Sequence, residues 1–318
     1  QSMLRKGAWC VVIAMVSSQC CCFQGLWKLA KLGRQPSTMV LLRHGEREDY
    51  MAEKAGQGAQ WVQEAARPWD PPLAPNGRQQ AQSAAKRMRQ VLEEAELPPP
   101  SKIFTSPMLR AVETANFVAE EFAVDRLYVE EGLTESAYEN WMRQWAVPGA
   151  NSKWGGPPTC GMPQGRPSGD PRLVRGVPVA ESEVHPKALE GVARLIPTAS
   201  ELRLAGWTRV DKNYNSCVPV RDKGYKWGYF ESHEEVVERC CQAVRTLMTK
   251  HPQETLVFVS HGGPTQYCLK EFSGQKYEGS SGMTAMSVLR RVQDTWDVLL
   301  ANDASHAKAF AHGEETKI

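Results

Sequence analysis

Hydrophobic positions change their period along the chain, and each change marks an element. Thr38–Leu42 (TMVLL) is apolar without interruption. Successive strand side chains point to opposite faces, so this run predicts a strand covered on both sides, as in a parallel sheet. Proline punctuation follows (Pro68, Pro71, Pro72, Pro75), and then Ala81, Ala84, Met88, Val91 and Ala95 recur at helical spacing. They predict a helix from about Gly77, stopped at Pro98–Pro100. Lys102–Thr105 reads as the next strand. A helix opens behind it with Ser106 as N-cap and Pro107 in the first helical position, which puts Arg110 fourth after the cap. Leu127–Val129 is a further short strand. Ser232 with Glu235 predicts a capping box, and Val236, Cys240, Ala243, Val244 and Leu247 give the buried face of its helix, ended by His251-Pro252. Thr255–Ser260 (TLVFVS) repeats the wholly apolar strand, and a short helix is expected from Pro264. Met283–Val292 and Thr295–Leu300 predict a closing antiparallel pair around Gln293-Asp294. Buried strands alternating with amphipathic helices imply an α/β fold: a three-layer α/β/α sandwich with a mostly parallel central sheet.

Residues 139–230 break this rhythm. They hold 10 of the 21 prolines, 11 of the 25 glycines and five of the ten tryptophans, which reads as an irregular insertion of the kind that forms lids and binding loops. Trp141, Trp145, Trp154, Trp207 and Trp227 are either an aromatic substrate wall or, more ordinarily, core. The other departure is residues 1–37, with five Lys/Arg and no Asp/Glu. Gly7–Trp27 is uncharged, but only Ala8–Val16 is strongly apolar. Three readings stay open: a disordered leader or gene-model artefact, membrane attachment through residues 7–27 (spanning, or acylated at Cys20–Cys22), and a cleaved signal peptide. The expected organisation is a 1–37 leader and a 38–318 catalytic domain carrying the insertion.

Composition narrows the function. A chain of 318 residues with 42% hydrophobic and 23% charged residues is neither disordered nor polytopic. A net charge of +2 argues against a general nucleic-acid binder. Outside the leader, 33 basic residues face 36 acidic ones, so affinity for an anion has to come from a local pocket. Nine cysteines, four in the leader and five elsewhere (Cys160, Cys217, Cys240, Cys241, Cys268), an odd number without a C-x-x-C pair, are no disulfide scaffold. A reducing compartment is favoured, cytoplasmic for the catalytic domain and membrane-tethered if the leader is.

Two buried strands each end in His-Gly: Leu42-Arg43-His44-Gly45-Glu46-Arg47 and Ser260-His261-Gly262-Gly263. Ligands of open α/β sheets bind at the carboxyl ends of strands, and Gly45 permits the turn that lets Arg43 and His44 reach one ligand. No phosphate-loop motif occurs. Neither histidine has a His or Cys at ligand spacing and their arginine neighbours repel cations, so no metal is expected.

With the block Ser106-Pro107-Met108-Leu109-Arg110-Ala111-Val112-Glu113-Thr114-Ala115, these motifs resemble the histidine phosphatase (phosphoglycerate mutase-like) superfamily over about residues 38–300. Asp70-Pro71-Pro72-Leu73, Gly77-Arg78-Gln79-Gln80-Ala81, and Glu231-Ser232 with Arg239 are similar to further stretches of it. The resemblance implies a phosphoglycerate mutase-like fold and a metal-independent, cofactor-free phosphomonoesterase. His44 would become a phosphohistidine, Arg43 and Arg110 would clamp the phosphoryl oxygens, and His261 would donate to them. The acid would be Glu135 or Glu131, the E-x-G-L-x-E arrangement favouring Glu135; the bland alternative is a solvated acidic turn. R-H-G-E-R resembles the branch carrying ubiquitin-associated and SH3 domains, in which Arg47 would also contact phosphate, against an exposed surface arginine. Asp49 and Gly262 depart from the acid-phosphatase pattern, and the mutases' asparagine after R-H-G is missing. A mutase and a catalytically weak phosphate- or phosphoprotein-binding adaptor remain the alternatives. The expected partner is a phosphorylated small molecule or phosphoprotein, with substrate and oligomeric state unread.

Overall fold

The computed structural model describes residues 36–136, 179–193, 196–220, 231–275, 277 and 282–310. The readings made for residues 1–35, for 139–178 and 221–230 of the insertion, and for Trp141, Trp145, Trp154, Trp227 and Cys160 lie outside them. No helix among the described residues is long and apolar enough to cross a membrane.

Six strands form one sheet: β1 (Thr38–Arg43), β2 (Lys102–Thr105), β3 (Leu127–Val129), β4 (Thr255–Ser260), β5 (Met286–Val292) and β6 (Thr295–Asp303), in the order β3-β2-β4-β1-β5-β6. The pairs β1–β4, β2–β4 and β2–β3 are parallel, and β5 and β6 close the sheet antiparallel, as the turn at Gln293-Asp294 implied. Eight helices are described: α1 (Glu48–Lys54), α2 (Gly58–Glu64), α3 (Pro75–Glu94), α4 (Leu109–Phe122), α5 (Pro186–Ala193), α6 (Ala199–Leu204), α7 (His233–Lys250) and α8 (Gly262–Ser273).

The apolar strands sort their side chains by parity. Val40, Leu42, Ile103, Val257, Val259 and Val288 pack with Ala84, Met88 and Leu92 of α3 and Ala111, Ala115 and Val118 of α4. Met39, Leu41, Phe104, Leu256, Phe258 and Leu289 pack on the other face with Val236, Cys240, Val244 and Leu247 of α7 and Leu269 of α8. Two helical layers therefore sandwich the sheet, and each buried aliphatic side chain contributes about 1.5–3 kcal/mol to holding it there. Trp207 packs against the first of these clusters, which is the core reading for that tryptophan. Among the described residues Cys217, Cys240, Cys241 and Cys268 are free thiols.

Four boundaries move from their sequence-based positions. The helix expected from Ser106 begins at Leu109, which makes Arg110 its second residue and not its fourth. The cause is a cap from elsewhere: Asp70 Oδ1 accepts the Leu109 N–H at 2.8 Å, while Ser106 Oγ takes the Met108 N–H at 3.3 Å in the preceding turn. The helix expected at Pro264 begins at Gly262 with His261 as N-cap. Proline is tolerated there because first-turn N–H groups have no intrahelical acceptor. The closing pair is β5 from Met286 and β6 out to Asp303, against Met283 and Leu300 expected.

Candidate active site

The sheet order puts the carboxyl ends of β1, β2 and β4 side by side, because β4 lies between the other two. Pairing runs on past the strand ends: His44 N–H donates to Ser260 O at 3.0 Å, and Ser106 N–H to Val259 O at 2.9 Å. Thr284 N–H holds the His44 carbonyl from the other side at 3.1 Å. His44, Ser106 and His261 are thus brought together by backbone register before any side chain acts.

Both imidazoles are buried, with ring centroids 5.1 Å apart at 65°. His44 Nδ1 lies 2.7 Å from Gly45 O. A carbonyl only accepts, so Nδ1 carries the proton and Nε2 keeps its lone pair. Arg110 Nε donates to that Nε2 at 3.3 Å. Arg110 is fully buried; its Nη1 is 3.7 Å from Asp70 Oδ1, and Nη1 and Nη2 have no hydrogen-bond partner among the described residues. Buried cationic donors left unpaired are costly unless an anion meets them. Burial, then Arg110 and Arg43, hold the His44 pKa well below the usual imidazole value. Burial and then Arg110 and His44 do the same for His261. Both rings are neutral at pH 7.

The loop after β1 is seated by the motif residues. Gly45 and Gly77 meet backbone to backbone, where neither has room for a Cβ. Gln80 Oε1 accepts the Glu46 N–H at 2.9 Å and Thr114 Oγ1 the Gly45 N–H at 3.2 Å. Glu113 accepts Leu73 N–H and Arg78 Nε. Arg47 is buried, so the exposed-surface reading does not apply to it. Its Nε and Nη2 hold the two oxygens of Asp49, its Nη1 reaches Tyr50 Oη at 3.2 Å, and its guanidinium lies 4.1 Å over the Tyr50 ring. Arg43, half-buried, ends β1.

Glu135 Oε2 lies 3.7 Å from His261 Nδ1. Its loop is hung on Arg239, which donates to the carbonyls of Gly132, Thr134 and Glu135 at 2.7–3.0 Å while Glu231 grips it with both oxygens. Glu131 instead accepts Val220 N–H at 2.9 Å. Nor is this a solvated acidic turn: Glu130 is fully buried, accepting from Tyr214 Oη, Ser216 Oγ, and the amides of Gly132, Cys217 and Val218. Sequence reasoning missed Asp70 as tertiary cap and Arg110 counter-ion, Asp49 as the partner of Arg47, and Ser106 Oγ, 2.8 Å from His261 Nε2. Only the Arg47-x-Asp49 spacing carried a local signal for any of them.

One ring nitrogen of each of His44 and His261 and a carboxylate oxygen of Glu135 lie within 4.8 Å of one another, a set of ligand types that zinc accepts. The sequence-spacing argument against a metal missed this grouping. Arg110, hydrogen-bonded to His44 Nε2, together with Arg43 and Arg47, whose charges also act on that ring, gives the space a charge suited to a tetrahedral oxyanion.

The profile of the histidine phosphatase superfamily (branch 1) matches residues 39–161 and 208–304, more than half of the chain. No curated protein sequence matches closely enough to register as a relative. Among solved structures, the ecdysone phosphate phosphatase of Bombix mori with tungstate is 19% identical over 84% of this chain and 93% of its own, with a TM-score of 0.52. Bacillus stearothermophilus YhfR is 20% identical over 86% and 100%, TM-score 0.46. A mycobacterial glucosyl-3-phosphoglycerate phosphatase with VO3 is 18% identical over 84% and 98%, TM-score 0.45. The first of these shares the phosphoglycerate mutase-like fold described above.

Proposed function

Since the chain belongs to the histidine phosphatase superfamily, we propose that it hydrolyses phosphomonoesters in two steps through a phosphohistidine on His44. The observation that carries this reading is the meeting of a neutral imidazole, its Nε2 lone pair free of a proton, with the unpaired donors of buried Arg110.

In the first step His44 Nε2 attacks phosphorus, the ester P–O bond breaks, and the leaving oxygen takes a proton from Glu135. Charge on the phosphoryl oxygens is met by Arg43, Arg110 and His261, with Arg47 contributing from beside Asp49. In the second step Glu135 takes a proton from water as the water attacks phosphorus, the N–P bond breaks, and inorganic phosphate leaves. His44 returns to its starting tautomer, Nδ1–H on the Gly45 carbonyl. No step calls on a metal or a cofactor. The proximity of Glu135 to His261, against Glu131's engagement with Val220, supports the choice of acid.

The test is chemical. Incubation with a labelled phosphoryl donor followed by quenching is expected to leave an acid-labile, base-stable adduct on the wild type and none on His44→Ala. A wild type that forms no adduct and hydrolyses no p-nitrophenyl phosphate between about pH 5 and 8 refutes the proposal in favour of a phosphate-binding adaptor.

A further inference from the structure

The register of β2 against β4 fixes Ser106 beside His261, and the contact it makes has a consequence for the direction of the proton. Ser106 Oγ lies 2.8 Å from His261 Nε2. The serine is fully buried, and its oxygen already accepts the Met108 N–H at 3.3 Å. The hydroxyl proton therefore needs an acceptor, and among the described residues its hydrogen bonds offer only one, His261 Nε2. A buried hydroxyl without an acceptor costs about 1–3 kcal/mol. The opposite ring nitrogen points the same way. His261 Nδ1 is buried, has no hydrogen-bond partner among the described residues, and faces Glu135 Oε2 at 3.7 Å. An N–H there has an acceptor in Glu135 whether that group is ionised or protonated, because a carboxyl oxygen accepts in both states.

We infer that Ser106 is a positioning residue: its hydroxyl donates to Nε2 of His261 and so holds that ring in the tautomer with its proton on Nδ1. The two histidines are then set by opposite devices. The Gly45 carbonyl, an acceptor, keeps the His44 proton on Nδ1 and frees Nε2 as a lone pair; the Ser106 hydroxyl, a donor, occupies the lone pair of His261 Nε2 and turns its N–H toward Glu135. The first ring is prepared to attack and the second to donate. This rests on the phosphatase reading only for its use: with the proton on Nε2, a neutral His261 offers a phosphoryl oxygen nothing.

The experiment is a two-bond 1H–15N spectrum of the full chain labelled at histidine, at neutral pH, with His261 assigned by its loss in His261→Gln. The expected result is Nδ1 at a protonated-type shift and Nε2 at an unprotonated one in the wild type and in Ser106→Thr. In Ser106→Ala the two shifts should average or exchange. Alongside, kcat on p-nitrophenyl phosphate should fall about 100-fold in Ser106→Ala with KM nearly unchanged, as for loss of one transition-state donor, and recover within about tenfold in the threonine variant. A wild-type spectrum with the proton on His261 Nε2 overturns the inference, and decides alone if Ser106→Ala does not fold. A wild type without turnover but with Nδ1 protonated sinks the phosphatase reading and leaves the tautomer standing; full turnover with Nε2 protonated does the reverse.

Discussion

Replacing Gly77 by alanine probes how the nucleophile is held from a point 33 positions away in sequence. A Cβ on Gly77 would fall well inside the contact radius of the Glu46 carbonyl oxygen, at 2.9 Å from the Glu46 amide nitrogen and 3.0 Å from its carbonyl carbon. All three are backbone atoms, so no side chain can swing aside. Ordinary non-bonded contacts begin at about 3.5 Å, so the 44–47 loop has to retreat by roughly 0.6 Å at the nitrogen and by on the order of 1 Å at the oxygen. The loop is tied by Gln80 to Glu46 and by Thr114 to Gly45, so the displacement is passed to His44 and not absorbed. Overpacking of this kind costs about 1–3 kcal/mol of stability. A displacement near 1 Å at a reacting group costs about 100-fold in rate. Gly77→Ala is therefore expected to lower kcat on p-nitrophenyl phosphate by about two orders of magnitude while the protein stays folded, with its urea midpoint reduced. Wild-type kcat in a folded Gly77→Ala protein would refute the claim that this glycine contact positions the nucleophile.

Three further outcomes follow from the geometry. Glu135→Gln should lower kcat/KM for an alkyl phosphate by about 100-fold or more, and much less for p-nitrophenyl phosphate, whose leaving group needs no proton; equal losses would remove Glu135 as the acid. Arg239→Leu leaves the buried Glu231 carboxylate and three carbonyls without their partner, so urea denaturation should show a loss of about 3–5 kcal/mol; a loss under about 1 kcal/mol would mean that Arg239 does not hold the loop. His44 and His261 resist protonation in the native state but not in the unfolded chain, which therefore binds more protons at low pH. Their contribution to stability is complete above about pH 6.5 and is lost as the pH falls below it, at up to about 1.4 kcal/mol per pH unit for each ring. His261→Gln should flatten that acid slope in denaturation curves, and identical slopes would show that the ring takes up its proton alike in the native and unfolded protein.

What could be read before the structure depended on how local its cause was. β1 and β4 were legible because burial on both faces writes an unbroken apolar run, and α7 because Ser232 and Glu235 cap each other within one turn. The start of α4 was misplaced because Asp70, 39 residues earlier, supplies the cap that Ser106 offered locally. The two His-Gly strand ends were local signals and did converge. Glu135 was separable from Glu131 only by resemblance, since what separates them is a tertiary tie: Arg239 turns one loop toward His261 while Val220 claims the other carboxylate. Glu130, to which the sequence assigned no role, serves five donors from segments up to 88 positions away, which no local pattern encodes.

The charges around the site form a single arrangement. Three arginines would make the pocket hold any anion tightly, product included, yet two of them have carboxylate neighbours within the protein: Asp49 grips Arg47, and Asp70 lies 3.7 Å from Arg110. Asp70 is fully buried and its own pKa is raised by that burial, with Arg110 and Arg67 working against the rise. The arginines in turn are part of what keeps both histidines neutral. In the proposed reaction a phosphoryl group would meet donors already held by the fold, with Arg110 fully buried and His261 against Ser106, so little reorganisation would be left for the reaction itself. The same positive field disfavours a cation on the rings, which argues against a metal on the His-His-Glu grouping despite its zinc-like ligand types.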